Sequence, residues 1–302
     1  MTNAEIAASV IIPTYNRPHL LKKCILALKQ QTFPLTQFEI IVVEDGMRQI
    51  AKKTVEDFRS ATNNPEIKYL YQDNKGPGAA RNAGASIAKG GILAFTDDDC
   101  EPDPEWLGSL VRFFEHYPKS VAVGGSVKPA DTKTMLGKFF EFRTPLDKPL
   151  TPEGEINYLV TANAAFKKII FEQFHGFDES FRWPGGEDAD LGFRLRMRGY
   201  KLDFTENALV YHHYTSKFSA LITSSFYYGR GKYRLSKLYS PETLWKTDPD
   251  ILYPFRFLEQ ARILKAYIHA RKNPGEAIGF WIINYLLNSA ELAGKIFEHF
   301  KS

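Results

Sequence analysis

Cysteine is nearly absent from this chain. Its 302 residues hold two, Cys24 and Cys100, far apart and without metal-type spacing, which excludes a disulfide framework and indicates no zinc site. Long apolar runs are missing too. The most hydrophobic stretch, Ala277 to Leu287, has 11 residues with Asn284 among them, whereas a bilayer span needs about 20. Continuing it to Phe297 adds Asn288, Glu291 and Lys295, so no transmembrane helix is expected. The N-terminus shows no basic segment leading into an apolar one, so no secretory signal is expected and a reducing, cytoplasmic setting is the simplest inference. Charge of one sign is also lacking: 39 basic and 35 acidic residues leave a net +4, which gives no argument for nucleic acid as a partner. No repeat or low-complexity segment is visible.

What is present suffices for a substantial core. Hydrophobic residues make up 44% of the chain, and its length suits one large α/β unit with an appendage. The first half alternates strand-like and helix-like stretches. Strands are predicted at Val10–Pro13, Phe38–Glu44, Ile67–Tyr71 and Gly91–Thr96. Helices are predicted at Pro18–Gln31, at Met47–Ser60, and over the small-residue stretch after Gly76-Pro77-Gly78 that carries Arg81 and Asn82. This rhythm implies a mostly parallel sheet covered by helices on both faces, with ligands bound outside the carboxyl ends of the strands.

Polar groups gather at those ends: Thr14-Tyr15-Asn16-Arg17, Glu44-Asp45, and the run Asp97-Asp98-Asp99. Three carboxylates in a crevice repel one another unless a cation lies between them, and a hard divalent ion bridging nucleotide phosphates is the usual one. A solvated acidic turn is the alternative reading, since Pro102 and Pro104 continue a loop. From Val121 to Tyr214 short β-like pieces (Val121–Val127, Tyr158–Ala162, Leu202–Phe204, Ala208–Tyr211) mix with Gly-, Pro- and aromatic-rich loops. The loop Phe177–Gly186, containing Trp183, leads to Glu187-Asp188-Ala189-Asp190 at the start of a helix predicted over Leu191–Arg198. Acidic residues there complement the helix dipole whether or not they react. Beyond Tyr214 the chain reads as a helical appendage, with helix-like stretches at Ser216–Tyr239 and around Ala277–Leu287 and a mixed apolar and basic stretch at Pro254–Arg271. The last helix either packs on protein or lies at a membrane interface.

Five elements in order, Val10-Ile11-Ile12-Pro13-Thr14-Tyr15-Asn16-Arg17, Glu44-Asp45-Gly46, Gly76-Pro77-Gly78-Ala79-Ala80-Arg81-Asn82, Thr96-Asp97-Asp98-Asp99 and Gly185-Gly186-Glu187-Asp188-Ala189-Asp190-Leu191, resemble glycosyltransferase family 2 over residues 8 to 214. The resemblance implies an α/β GT-A fold in residues 1–215, with a nucleotide-sugar-binding half at about 1–120 and an acceptor-binding half at 121–215. Residues 216–302 would form a C-terminal helical region. It further implies an inverting transfer, dependent on Mn2+ or Mg2+, from a nucleotide-sugar donor, expected to be a UDP-sugar, to a glycan or lipid-linked acceptor, as in polysaccharide biosynthesis. By the same resemblance Thr14, Tyr15, Arg17, Asp45, Arg81, Asp97 and Asp98 are expected at the nucleotide, with Asp45 accepting the imide hydrogen of uracil. Asp99 and His212, preferred to His213, are expected at the metal, Asp188 as general base, and Glu187 and Trp183 at the acceptor. Lys217 and Arg230 are candidates for screening the diphosphate. The chain departs from the family's usual pattern at Glu44, where Asp is common, and at Met47, where Ser is common.

Two other functions fit parts of the pattern. A sugar nucleotidyltransferase would carry a glycine-rich, basic loop after the first strand, which Thr14–Pro18 does not resemble. A non-catalytic carbohydrate-binding or scaffold protein would have lost Asp188 or the metal aspartates, and all are present. Peripheral contact with the cytoplasmic membrane face, through the C-terminal helices, is the remaining expectation.

Overall fold

The computed structural model describes residues 5–46, 49–59, 65–143, 149–151, 153–215, 217–239, 257–271 and 273–301. The chain divides into two compact units. The first comprises Met1–Ala130, Thr144–Arg182 and Glu187–His213; the second comprises Asp131–Arg143, Trp183–Gly186 and Tyr214–Ser302. Two short segments from within residues 1–215, Asp131–Arg143 and Trp183–Gly186, belong to the second unit.

The first unit is built on an eight-stranded sheet. Its strands are β1 (Ala8–Thr14), β2 (Phe38–Glu44), β3 (Glu66–Tyr71), β4 (Ile92–Thr96), β5 (Cys100–Pro102), β6 (Ala122–Pro129), β7 (Asn163–Lys167) and β8 (Asp203–His212), in the order β3-β2-β1-β4-β7-β6-β8-β5. The β1–β2, β2–β3 and β1–β4 pairs are parallel, as is β6–β8; β7 and β5 run against their neighbours. The helices of this unit are α1 (Pro18–Leu28), α2 (Ile50–Arg59), α3 (Pro77–Ser86), α4 (Trp106–His116), α6 (Lys168–Gln173) and α7 (Glu187–Met197), while α5 (Met135–Arg143) belongs to the second unit.

The central strands carry apolar residues on both faces because both faces are covered. Val10, Ile12, Ile40, Val42 and Ala94 pack with Leu21, Ile25, Val55 and Leu110 of α1, α2 and α4. The alternate positions Ile11, Ile41, Val43, Leu93 and Phe95 pack with Ala80, Ala85, Phe171, Leu191 and Leu195 of α3, α6 and α7. Near-continuous apolar runs in β1, β2 and β4 are what made them legible. The stretch Tyr158–Ala162 is not a strand; the strand is β7, immediately after it, where the small, alternating Asn163–Lys167 pairs with both β4 and β6. Helix α2 begins at Ile50, and the expected ends Met47 and Ser60 lie outside the described residues.

The second unit is helical: α5, α8 (Phe218–Leu238), α9 (Phe257–Arg271) and α10 (Pro274–Lys301). Ser216, in the stretch expected to be helical, and residues 254–256, in the mixed apolar and basic stretch, lie outside the described residues. Phe139, Leu221, Phe280, Ile283 and Leu287 form its core. Helices α8 and α10 approach so closely that a Cβ at Gly229 would sit 1.8 Å from the carbonyl oxygen of Glu291, so glycine is required at this crossing. Ion pairs from Arg230 and Arg234 to Glu298 and from Lys232 to Glu291 tie the same two helices. Among the described residues no helix is long and apolar enough to cross a membrane.

Candidate active site

The three aspartates after β4 point in different directions and meet different partners. Asp98 turns inward and is fully buried. It accepts a hydrogen bond from Thr14 Oγ1 at 2.7 Å and pairs with Arg17 Nη2 at 2.6 Å. Burial pushes its carboxyl up to about 7 against the pull of Arg17, and Asp99 and Asp97 add repulsion. Asp98 therefore fixes Thr14 and Arg17 and has no surface to offer a nucleotide directly, which differs from the sequence expectation. Asp97 is more open and accepts from Arg81 Nη2 at 2.7 Å. Burial would raise its pKa, but Arg81, His212 and Arg17 outweigh that and hold it below the usual carboxylate range.

Asp99 has two differently engaged oxygens. Oδ2 lies 2.5 Å from Arg17 Nη1. Oδ1 is buried without a hydrogen-bond partner, 3.4 Å from His212 Nε2. Asp99, Cys100 and His212 bring their ligating atoms within 4.8 Å of one another, because Cys100 faces His212 across the β5–β8 pairing. Burial pushes the Cys100 thiol far up, so it stays protonated and the usable donors are carboxylate oxygen and imidazole nitrogen. Such a donor set, with an orphaned buried oxygen, fits a divalent ion of the Mn2+ or Mg2+ kind. His213 is turned elsewhere: its ring meets Glu101 at 2.5 Å, and its backbone N–H donates to the Asp99 carbonyl at 2.7 Å. Of the two histidines, His212 is the one beside the aspartates.

Helix α3 carries the link to the other side of the site. Arg81 is 4% exposed and donates to both Asp97 and Glu187, the latter at 3.0 Å. Sequence reasoning placed it against the nucleotide; the structure buries it beneath the carboxylates as their counter-ion. The next residue, Asn82, was quoted in the motif without a role. Its side-chain amide clamps Phe177, donating to the carbonyl at 2.8 Å and accepting the N–H at 2.9 Å. Gly76, at the start of the same helix, has φ +99°, and a Cβ there would lie 2.6 Å from the Arg182 carbonyl oxygen. The Gly-Pro-Gly turn and Asn82 together hold the loop from Phe177 to Arg182 on the N-terminal part of α3.

Asp188 sits in the first turn of α7 and is half-buried, between buried Glu187 and Ala189. Burial pushes its carboxyl up to about 7, and Glu187 adds repulsion; the Ala189 N–H, at 2.8 Å, and Arg81 pull the other way without prevailing. The helix N-terminus favours the ionised form, and desolvation offsets it. Asp190 is committed to Arg194, four residues on, at 2.8 Å, which is a helix-stabilising role.

At the end of β2, Asp45 accepts from Gln72 Nε2 at 2.7 Å and from the N–H groups of Lys75 and Gly76 at 2.8 Å each. A carboxylate has roughly four acceptor directions, so about one remains for a base. Glu44 is engaged elsewhere. Its carboxylate accepts the N–H groups of Ile50 and Ala51 and the Tyr69 hydroxyl. It caps α2, and the extra methylene relative to Asp gives the reach to do so. Tyr15 is 46% exposed beside this strand end. In the second unit Trp183 stacks on Tyr227, centroids 4.8 Å apart and planes within 8°, and Arg230, paired with Glu298, lies 5.5 Å from the Trp183 ring. One indole face is thereby occupied by packing, and Arg230 is a core ion-pair residue. Lys217 is exposed.

Comparison with known proteins is concordant. The sequence profile described as Glycosyl transferase family 2 matches residues 9–174, and one described as the N-terminal domain of galactosyltransferase matches residues 148–217. Glycosyltransferase AglE of Haloferax volcanii is 29% identical over 234 residues, covering 77% of this chain and 75% of that protein. The chain spans about half the length, 51% and 48%, of two validoxylamine A glucosyltransferases of Streptomyces hygroscopicus that it also matches. Among solved structures, the mannosyltransferase PcManGT of Pyrobaculum calidifontis in complex with GDP-Man and Mn2+ superposes with TM-score 0.69 at 18% identity, covering 98% of this chain and 87% of that one. Residues 1–349 of S. aureus TarS in complex with UDP give TM-score 0.58 at 15% identity, over 98% of this chain and 92% of that one. These likenesses show a GT-A fold.

Proposed function

Since this chain belongs to glycosyltransferase family 2, we propose that it moves a sugar from a nucleoside-diphosphate donor, by an inverting and divalent-metal-dependent displacement, onto a hydroxyl of a glycan or lipid-linked acceptor. The observation that carries the reading is the Arg81 bridge, which holds Asp97, at the donor side, and Glu187, the neighbour of Asp188, on one buried guanidinium. Asp99 and His212 are the residues that would hold the metal, whose chemistry is to neutralise charge developing on the departing diphosphate. Asp188 removes the acceptor's proton as the new bond forms. A carboxyl whose pKa lies near 7 suits that role, since a substantial fraction is ionised at neutral pH and the carboxylate is basic enough to take the proton. A single displacement with the nucleophile opposite the leaving group inverts the anomeric centre, so an α-linked donor gives a β-linked product.

UDP is the proposed nucleotide because Asp45 retains an acceptor direction for an imide hydrogen and exposed Tyr15 stands beside it; a UDP complex among the structural neighbours supports this, and the GDP-Man complex makes guanine the first alternative. Asp97 would hold the ribose or a metal-bound water. Glu187 acts on the acceptor through Asp188. Trp183, in the second unit, is 43% exposed and is a separate candidate for sugar stacking. Membrane contact, at the cytoplasmic face, is assigned to α10, which exposes Ile278, Ile282 and Leu286 four residues apart on one side.

The test is incubation of the protein with a panel of nucleotide sugars and Mn2+ without acceptor. Slow release of nucleoside diphosphate from one UDP-sugar, abolished by EDTA and by Asp99→Ala, is expected. Release undiminished by both would remove the metal from the mechanism, and pyrophosphate from a nucleoside triphosphate and a sugar phosphate would identify a nucleotidyltransferase instead.

A further inference from the structure

Arg17 is where the structure says more than the family reading. It occupies the N-cap position of α1 and sends its guanidinium across to the aspartate run. Nη2 meets Asp98 Oδ1 at 2.6 Å, Nε donates to Asp98 Oδ2 at 3.2 Å, and Nη1 meets Asp99 Oδ2 at 2.5 Å. The same Asp99 carboxylate leaves Oδ1 buried, without a hydrogen bond, on the side of His212. One half of this carboxylate is thus engaged by a cation belonging to the chain, and the other half faces a neutral-capable nitrogen donor.

We propose that Arg17 is a placeholder cation, which a divalent metal ion displaces from Asp99 when it binds between Asp99 and His212. The inference rests on the reading of Asp99 and His212 as the metal's ligands. Three features support an exchange rather than a permanent pair. The Arg17 side chain is 43% exposed, whereas those of Asp98 and Asp99 are 0% and 11% exposed, so the arginine approaches the carboxylates from the solvent side and has a way out. A guanidinium and a divalent ion on one carboxylate repel each other in a site of reduced dielectric, which opposes joint occupancy. Without either cation, Asp98 and Asp99 would be left to repel each other, since Arg81 is committed to Asp97, so the metal-free protein needs Arg17 where it is. The Nε hydrogen bond and the Nη2 ion-pair contact on Asp98 give the guanidinium an anchor from which only its Nη1 contact must break.

An exchange of this kind weakens apparent metal affinity by the fraction of protein in which Arg17 has let go. Removing the guanidinium therefore tightens metal binding even though it removes a stabilising pair from the metal-free state. A residue that merely braced the site would do the opposite, loosening the carboxylates and weakening the metal.

The experiment titrates the full chain with MnCl2 in the absence of nucleotide, reading free Mn2+ by electron paramagnetic resonance, for the wild type, Arg17→Gln and Arg17→Lys. Melting temperature is followed with and without Mn2+. Arg17→Gln is expected to bind Mn2+ about 10-fold or more tightly than the wild type. It is also expected to melt lower without metal and to gain more from Mn2+ than the wild type does. Arg17→Lys, which keeps the charge but loses the fork, should fall between, and it carries the test if the glutamine variant does not fold. Equal or weaker Mn2+ binding by the folded variants overturns the placeholder role while leaving the metal site standing. Absence of Mn2+ binding in all three proteins removes the metal-site reading and this inference with it.

Discussion

Glu187 and Arg81 meet at 3.0 Å with both side chains 5% exposed, a buried ion pair between α7 and α3, 106 residues apart in the chain. The same guanidinium reaches Asp97 at 2.7 Å. Two acidic residues from different parts of the sequence are thus held by a single fixed charge. Arg81 keeps Asp97 ionised while failing to do so fully for Asp188, because burial and the adjacent Glu187 act more strongly there. The pair of carboxyls is driven apart in pKa, which is the arrangement expected where one must carry charge throughout and the other must exchange a proton.

A pH dependence follows with a definite sign. In its proposed role as base, Asp188 can act only when ionised, so kcat/KM should fall as pH drops through about 7. Glu187→Gln removes the neighbouring negative charge while keeping an acceptor for Arg81, which makes Asp188 easier to ionise and moves the acid limb to lower pH. Asp98 is also pushed up to about 7, but its strongest neighbours are Arg17, Asp99, Thr14 and Asp97. An acid limb that stays in place in Glu187→Gln would therefore assign it to Asp98.

Asp188→Asn should leave the fold intact and remove the chemistry. Above pH 7 the wild type carries a charge that burial disfavours; the amide does not, so the melting temperature at pH 8 should be unchanged or slightly higher. Turnover should fall by ~10²–10⁴-fold, with UDP affinity little altered, since Asp188 is not among the groups assigned to the nucleotide or metal. A variant that melts lower and loses UDP binding would show that the carboxylate serves the first turn of α7 instead.

Much of this was legible in the sequence, and the exceptions share a cause. The strands β1, β2 and β4 announced themselves because two covered faces require near-continuous apolar residues. β7 did not, since Asn163-Ala164-Ala165-Phe166-Lys167 is short and small-residue-rich, and its identity as a strand comes from its position between β4 and β6. The aspartate run was visible as a cluster, but not that Asp98 would face inward to Thr14. Nor did spacing reveal that Arg81 and Asn82 would brace Glu187 and Phe177, 106 and 95 residues away. A polar pair in a helix of small residues was the available signal, because small neighbours permit the close packing that buries it. Trp183 read as a binding residue, and its partner Tyr227 lies in a helix that only the fold brings to it.

The departure at Glu44 becomes a stability prediction. Its carboxylate accepts two N–H groups at the start of α2 and the Tyr69 hydroxyl, and the residue is fully buried. Glu44→Ala leaves those donors without a partner, a change that costs about 1–3 kcal/mol. Urea unfolding should show a lower midpoint with an unchanged slope, while UDP affinity holds, since Asp45 keeps its own three partners. Unaltered stability would mean that solvent caps α2 equally well. Loss of UDP binding in a folded variant would put Glu44 in the nucleotide site.

The last prediction concerns α10, whose two sides differ. Ala277, Phe280, Ile283 and Leu287 are buried in the second unit, so deleting the helix would destroy that unit and reveal nothing about lipid. Ile278, Ile282 and Leu286 point the other way and are 45%, 44% and 36% exposed. Replacing all three with Ser leaves the packed face intact, and circular dichroism and melting temperature should show little change. If these residues insert into a lipid interface, each contributes roughly 1–2 kcal/mol, and partitioning onto vesicles should weaken by about 10²–10³-fold or more. The measurement is co-sedimentation with vesicles containing anionic lipid at low salt, with donor hydrolysis as the control for an intact site. Equal sedimentation of the triple variant, or none by the wild type, would remove the membrane from the account and assign the stripe to protein packing.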